Sequence, residues 1–242
     1  MQKKYYELIV NLFVKEDIHR TDCGEKLSKL INFSMEKDKY LKEIHIRKNS
    51  FKGYSFSHLY PIEQDGIYKQ NDIYRIMIRT YDKKMVDTFK VALIKTETEE
   101  FAVVGIDIKI YTHRKIDKLF NITPAVATIR DKNNKSISWS ANNYSDDIIN
   151  DAIWNNLIKK YKYFNNLDSN IEKNDVISYI KRKNDVAMII NYKGIKLLGY
   201  KFEVGIKDNV LAQDIGNFAS VLGILEKGSS LGAGFVKANY IR

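Results

Sequence analysis

The stretch YYELIVNLFV, residues 5–14, is the part of the sequence from which the fold is inferred. Its apolar residues lie on both sides of an extended chain, since Leu8 and Val10 fall on one face and Ile9 and Phe13 on the other. A run of this kind, rich in β-branched residues and without a helical stripe, is typical of a strand buried on both faces. The sequence therefore predicts that this strand lies in the middle of a sheet.

Strands and helices alternate after this first strand. The predicted elements are a helix from Thr21 to Phe33, a polar connection over 39–51, strands at 54–60 and 67–80, a helix at 84–93 and a strand at 101–111. This order, β-α-β-β-α-β, is that of a ferredoxin-like unit. It is complete in a length that is normal for a domain.

The second half of the chain repeats the same order. Its predicted elements are a strand at 122–130, a helix from Ser145 to Tyr161, a polar loop at 165–184, strands at 186–192 and 199–206, a helix at 210–222 and a strand at 235–240. We therefore predict an α+β protein of two tandem ferredoxin-like (RRM-like) domains. The N-terminal domain is expected over residues 1–113 and the C-terminal domain over 120–242, with the junction near 112–119.

Composition narrows the class of protein. The 242 residues include 44% hydrophobic side chains, which excludes a disordered chain, and the single cysteine, Cys23, excludes an internal disulfide. Lys and Arg number 40 against 30 Asp and Glu, a formal charge of +10, which favours a polyanionic partner. No run of 18 apolar residues and no signal peptide is evident, so we expect a soluble, cytoplasmic protein without membrane contact.

Several kinds of catalytic site have no support in the sequence. The four histidines form no metal-binding array, and neither a P-loop pattern nor a GxSxG elbow occurs. We therefore expect neither a metal nor another cofactor.

His45 is the histidine whose surroundings suggest chemistry. Between residues 42 and 52 there are four positive residues, among them Arg47, Lys48 and Lys52, and one negative residue, Glu43. Neighbouring cations favour a neutral imidazole, which can accept a proton, and they attract phosphate, so Arg47 and Lys48 are expected to contact RNA. Such a site suits attack of a 2′-hydroxyl on the adjacent phosphodiester, with lysine stabilising the transition state. On residue chemistry alone, a functionless histidine on an exposed basic loop is the alternative.

A glycine-rich segment, GILEKGSSLGAGFVK, spans residues 223–237. Glycine permits positive φ and close approach of the backbone to a ligand, and successive N–H groups in such loops can bind anions. At Gly232 and Gly234 a Cβ would obstruct either a turn or an approaching RNA backbone. The alternative is an ordinary loop that closes onto the last strand.

Three segments together resemble a known family. Residues 44–63, IHIRKNSFKGYSFSHLYPIE, residues 120–131, FNITPAVATIRD, and the glycine-rich segment are similar to motifs of the CRISPR repeat-RNA processing endoribonucleases of class 1 systems, members of the RAMP superfamily. The predicted order of elements extends this resemblance over essentially the whole chain.

The resemblance implies a metal-independent endoribonuclease that cuts precursor CRISPR RNA within its repeats to release guide RNAs. It puts His45 at the family's catalytic histidine and Lys52 at its partner lysine. Contacts to the repeat RNA are implied for Lys227, Gly228, Ser229 and Ser230. The implied partners are CRISPR repeat RNA and a class 1 effector complex, with the protein as a monomer or homodimer.

Some features of the chain differ from the family pattern. The tyrosine that some members carry in the first helix is absent, since that stretch reads KLSKLINFSM.

The rival interpretations are a non-catalytic RAMP subunit that holds guide RNA and a general single-stranded-RNA-binding module. An alternative RNA path would follow Arg47, Lys48 and the basic helix around Lys159 and Lys160.

Overall fold

The computed structural model describes residues 3–48 and 50–241. These residues divide into two compact units, and each unit includes short segments that are distant in sequence. The first unit contains Met1–Thr112, Asn191–Ile195 and Ser229–Gly232, and the second contains His113–Ile190, Lys196–Gly228 and Ala233–Arg242. The sequence gives no sign that residues 229–232 belong to the first unit.

The first unit is built on one antiparallel sheet. Its elements are β1 (Lys4–Val14), β2 (Ile18–His19), α1 (Cys23–Met35), α2 (Lys39–Ile46), β3 (Tyr54–Phe56), β4 (Ile67–Tyr68), β5 (Ile73–Thr80), α3 (Lys83–Ile94) and β6 (Phe101–Thr112). Within the described residues the strand order is β3-β5-β1-β6, with β1 paired to both β5 and β6. The first strand is therefore central, as predicted.

The core of this unit lies between the sheet and its helices. Leu8 and Leu12 of β1 are fully buried, as are Leu27 of α1 and Phe89 of α3. Burying apolar side chains of this size is the main favourable term in folding. Phe33, the last residue of the helix predicted from Thr21, is 48% exposed, so the apolar side of α1 does not include it.

A helix, α2, replaces part of the predicted polar connection over 39–51. It begins after Asp38, whose carboxylate accepts a hydrogen bond of 3.1 Å from the backbone N–H of Leu41. This is the bond that an N-cap residue makes to satisfy a free donor of the first turn. Leu41 and Ile44 are buried and hold the helix to the rest of the unit.

The predicted strands at 54–60 and 67–80 are shorter in the structure. β3 ends at Phe56, and the second run divides into β4 and β5. β4 pairs with β2 instead of joining the main sheet. Asn71 adopts a positive φ of 68° in the turn between β4 and β5, which is a conformation that asparagine tolerates better than most residues.

The second unit has its own antiparallel sheet. Its elements are β7 (Ile116–Asn121), β8 (Thr128–Arg130), β9 (Ser136–Ser138), α4 (Asp146–Asn165), α5 (Lys173–Val176), β10 (Ile177–Arg182), β11 (Met188–Tyr192), β12 (Ile195–Gly199), β13 (Phe202–Ile206), α6 (Val210–Leu222), α7 (Gly228–Leu231) and β14 (Val236–Tyr240). A few of these residues, in β11, β12 and α7, belong to the first unit. The sheet order in the described part of the chain is β10-β13-β7-β14.

Two strand predictions and one loop prediction in this unit need correction. The first strand of the sheet lies at 116–121, and only residues 128–130 of the strand expected at 122–130 form a strand, β8. The expected loop at 165–184 contains the edge strand β10. The expected strand at 199–206 is divided between the end of β12 and β13. Ala125 and Val126 form only isolated bridges, so this buried apolar run packs beside the sheet without joining it.

Both sheets have the same topology. When the four strands of each β-α-β-β-α-β unit are numbered in chain order, they lie in the sheet in the order second, third, first and fourth. This is the ferredoxin-like arrangement, with β11 and β12 as an insertion in the second unit. The prediction of an α+β protein with two ferredoxin-like folds is confirmed.

Candidate functional site

His45 lies in the last turn of α2. The burial of Leu41 and Ile44 fixes the orientation of the helix, and the His45 side chain remains 33% exposed. The imidazole is thus held on a short, well-anchored helix and is accessible to a ligand from solvent. The sequence placed it on a loop, but a helix positions a side chain more rigidly.

A carboxylate lies beside this histidine. Oε1 of Glu36 is 3.9 Å from Nε2 of His45, and its Oε2 is 2.9 Å from Nζ of Lys42. The hydrogen bond from Lys42 lowers the pKa of Glu36 below its usual value. Glu36 lies at the C-terminal end of α1, so this helix supplies an acid next to the imidazole. Glu36 lies outside the stretch from residue 42 to residue 52 whose charges were considered above, so the sequence did not predict this neighbour.

Lys52 binds the end of the helix that carries His45. Its Nζ donates to the carbonyl oxygens of Ile44 at 2.9 Å and His45 at 3.1 Å, and also to that of Arg47. The last carbonyls of a helix lack partners within the helix, and a cation is favoured at this end of the helix dipole. An ammonium has three protons, and all three are engaged here. Burial, and secondarily the charge of Arg47, lower the pKa of Lys52.

Arg47 and Lys48 follow the helix directly and are exposed. The structure therefore brings together an accessible imidazole, the ammonium of Lys52 near its backbone and two cations in solvent. This arrangement can attract a phosphodiester and can exchange a proton with it through His45. The two predicted catalytic residues are thus neighbours, although Lys52 contacts the backbone of the helix rather than the ring.

The glycine-rich segment connects α6 to β14 through the short helix α7. Lys227, Ser229 and Ser230 are half-buried, whereas Gly228, Gly232 and Gly234 are buried. Among the residues of this segment that were expected to contact RNA, the available surface is therefore made by Lys227, Ser229 and Ser230. The buried glycines give the segment its shape.

Gly234 shows why glycine is needed in this segment. Its φ is +67°, and a Cβ there would lie 2.0 Å from the carbonyl oxygen of Ile224. The same glycine accepts a hydrogen bond of 3.0 Å from the N–H of Ile224 and donates one of 3.0 Å to the carbonyl of Pro124. Gly234 thus allows two backbone segments to cross at close range, which is a structural requirement independent of any ligand.

Lys160, considered above as part of an alternative RNA path, is buried. Its Nζ donates to the carbonyl oxygens of Leu222 at 3.5 Å, Gly223 at 3.3 Å and Leu225 at 2.7 Å. Burial lowers its pKa to about 7, although the carboxylate of Glu226 acts in the opposite direction. This lysine anchors the start of the glycine-rich segment and is only 7% exposed, so it does not supply the surface cation that the alternative path along this helix assumed.

No metal site is formed by the residues that the structure describes. Across residues 3–48 and 50–241, no three His, Cys, Asp or Glu side chains come together in a group suited to a metal ion. No helix in the same ranges has both the length and the apolar character needed to cross a membrane.

Comparison with known proteins gives similarity in structure only. No protein-family model matches the chain, and no curated protein sequence matches it. Among solved structures, one described as "CRISPR associated protein Cas6" is 20% identical, with a TM-score of 0.66 over 97% of this chain and 99% of that one.

Two further structures match over the same extent. "An RAMP protein binding different RNA substrates" is 18% identical with a TM-score of 0.69, and it covers 97% of this chain and 99% of its own. A structure from Pyrococcus furiosus, titled "Characterization of a Cas6-related gene", is 15% identical with a TM-score of 0.67, covering 97% and 98%. The chain therefore shares the fold of Cas6 and RAMP proteins over 97% of its length, as the motif resemblance indicated.

Proposed function

We propose that this protein is a cytoplasmic endoribonuclease of the Cas6 type, which cleaves precursor CRISPR RNA within its repeats without a metal ion. The observation that carries this proposal is the position of His45, accessible at the end of α2 with Lys52 bound to the carbonyls of the same turn. Its fold, shared with Cas6 structures over 97% of the chain, supports the same function.

The proposed reaction is an internal transesterification. The 2′-oxygen attacks the adjacent phosphorus, the bond from phosphorus to the 5′-oxygen breaks, and a 2′,3′-cyclic phosphate and a 5′-hydroxyl result. His45 either takes the proton of the 2′-hydroxyl or gives one to the leaving 5′-oxygen, which is the work of a general acid or base. The nucleophile belongs to the RNA, so no metal-bound water is required.

Lys52 has two roles in this proposal. By donating to the carbonyls of Ile44, His45 and Arg47, it fixes the backbone at the end of α2 and so the position of the imidazole. Its charge is also held within 3.1 Å of the His45 carbonyl, where it favours the negative charge that develops on the phosphate. Preorganised charge of this kind is worth most where burial limits screening.

RNA binding is assigned to two groups of polar side chains. Arg47 and Lys48 bind phosphates next to the reacting bond, and Lys227, Ser229 and Ser230 bind the repeat elsewhere along the strand. Contacts between lysine or arginine and phosphate release counterions, so affinity should fall steeply with salt. The formal charge of +10 is consistent with such a partner.

A non-catalytic RAMP subunit that holds guide RNA in an effector complex is the second candidate. One observation favours it: all three protons of the Lys52 ammonium are engaged by backbone carbonyls, as a purely structural lysine would be. Such a subunit would bind repeat RNA and leave it intact.

Purified wild type and His45→Ala decide between these candidates. With labelled repeat RNA in EDTA, wild type should cleave at one position, and His45→Ala should lose about 10²- to 10⁴-fold in single-turnover rate. The affinity of His45→Ala for RNA should stay within about twofold of wild type, because the proposed phosphate contacts come from Arg47, Lys48 and the glycine-rich segment and not from His45. Tight binding without cleavage by wild type would favour the non-catalytic subunit.

A further inference from the structure

Residues of β3 and of the chain that directly follows it contact residues 229–232 of the glycine-rich segment in a regular pattern. Tyr54 Oη donates a hydrogen bond of 3.0 Å to the carbonyl oxygen of Ser229. Four residues on, Nε2 of His58 lies 2.9 Å from the carbonyl oxygen of Leu231, so this nitrogen must carry the proton. Two alternate positions of the motif YSFSH thus bind two carbonyls of α7.

Phe56, midway between them, contacts the next residue of the segment. A Cβ on Gly232 would lie 2.7 Å from Cε2 of Phe56 and 2.8 Å from its carbonyl oxygen. Phe56 is fully buried, so its ring cannot move aside. Gly232 has a φ of +64°, so glycine is required there both for space and for backbone conformation.

The N-terminus of α1 approaches the same turn from another side. A Cβ on Gly24 would lie 2.6 Å from the carbonyl oxygen of Leu231 and 3.1 Å from Nε2 of His58. Residues 229–232 are therefore packed tightly against both β3 and the start of α1. Neither Gly24 nor Gly232 has room for a methyl group.

β3 is a rigid base for these contacts. It pairs with β5 through Tyr54 opposite Thr80 and Phe56 opposite Ile78. It also begins two residues after Lys52, with Gly53 between them. The same short stretch of chain therefore connects the proposed catalytic segment to the residues that hold the glycine-rich segment.

We propose that Tyr54, Phe56 and His58 form a seat for residues 229–232, and that Tyr54 and His58 are positioning residues for RNA binding by this segment. Tyr54 and His58 of the seat form hydrogen bonds with the carbonyl oxygens of Ser229 and Leu231, which would otherwise repel phosphate. The partly exposed hydroxyl donors of the segment are then available to the RNA backbone. This inference rests on the proposed function, since it assumes that the segment binds repeat RNA.

The test compares two tyrosines in the first unit that undergo the same change. Tyr54→Phe removes the bond to Ser229. Tyr111→Phe, the matched control, removes a hydroxyl on β6, at the opposite edge of the sheet from β3, that donates at 3.3 Å to Oε1 of Glu7. Both variants should lose some stability, because each removes a hydrogen bond of the first unit. Only Tyr54→Phe should weaken repeat-RNA binding, by roughly 3- to 10-fold for one lost hydrogen bond.

His58 provides a rescue experiment. His58→Ala should raise Kd by roughly 10-fold, and His58→Gln should restore most of the affinity because its amide can donate to Leu231 from a similar position. The single-turnover rate at saturating protein should change little in either variant, since the seat acts on binding.

The outcomes separate this inference from the proposed function. Wild-type affinity in both Tyr54→Phe and His58→Ala, or an equal loss in Tyr111→Phe, would overturn the seat while leaving cleavage standing. Binding by wild type without cleavage would remove the catalytic proposal and leave the seat testable by the same Kd values. A wild type that does not bind repeat RNA would overturn both.

Discussion

Replacing Lys160 by methionine should change how the stability of the second unit depends on pH. The ammonium donates to the carbonyls of Leu222, Gly223 and Leu225, but its burial lowers the pKa to about 7 from the ordinary 10.5. Methionine has a similar length and no charge, so Lys160→Met removes the titration with little change in volume.

The sign and size of the effect follow from the two pKa values. Between pH 7 and 10.5 the unfolded chain binds more protons than the folded chain at Lys160, so the free energy of unfolding rises with pH over this window. From pH 7 to pH 9 the gain is about 2 kcal/mol. In Lys160→Met this contribution is absent. Burial also lowers the pKa of Lys201, to about 8. Lys201 titrates in both proteins, so its contribution to the free energy of unfolding cancels in the difference.

Tryptophan fluorescence during urea unfolding is a suitable assay. The protein has 2 tryptophans, Trp139 and Trp154, and both lie in the second unit. Trp154 is also on α4, the helix that carries Lys160. The difference in unfolding free energy between wild type and Lys160→Met should move in favour of wild type by about 2 kcal/mol from pH 7 to pH 9. A difference that stays constant over this range would refute the reasoning.

Three other substitutions test the proposed sites. Lys52→Met should lower the single-turnover cleavage rate by roughly 10²-fold or more, and an unchanged rate at saturating protein would remove Lys52 from the reaction. Gly232→Ala should lower the free energy of unfolding by about 1–3 kcal/mol, because an alanine there would be strained by the positive φ and by the contact of its Cβ with Phe56. A calorimetric scan equal to that of wild type would contradict this. Lys227→Ala should reduce the slope of log K against log salt by about 0.7, and an unchanged slope would exclude a phosphate contact.

The elements that the sequence predicted best are those whose apolar pattern is local. The first strand and the helix at 210–222 lie where they were expected, because each carries a clear apolar run or stripe. The helix α2 could not be read in the same way, since Leu41 and Ile44 are its only buried residues. The C-terminal end of α2 is instead held by hydrogen bonds from Lys52, which lies outside the helix. A contact of this kind leaves no periodic pattern in the sequence.

The parts of the site that sequence could not reveal depend on contacts distant in the chain. The glycine-rich segment was recognisable from its composition, but its contact with Tyr54 joins residues 175 positions apart. Likewise, Lys160 lies in the basic stretch KKYK, residues 159–162, which is followed by YFNN. Nothing in this stretch distinguishes a buried lysine from an exposed one. Only tertiary structure shows that it binds three backbone carbonyls.

The decisive measurement for metal-independent attack by the 2′-hydroxyl is cleavage, in EDTA, of a repeat RNA that carries a single 2′-deoxy nucleotide just upstream of the cut. We expect the all-ribose RNA to be cut to a 5′-hydroxyl end and a 2′,3′-cyclic phosphate, and the deoxy RNA to bind with similar affinity but remain intact, because the attacking oxygen is missing. Cleavage of the deoxy RNA at the same position, or loss of all-ribose cleavage in EDTA, would contradict the account.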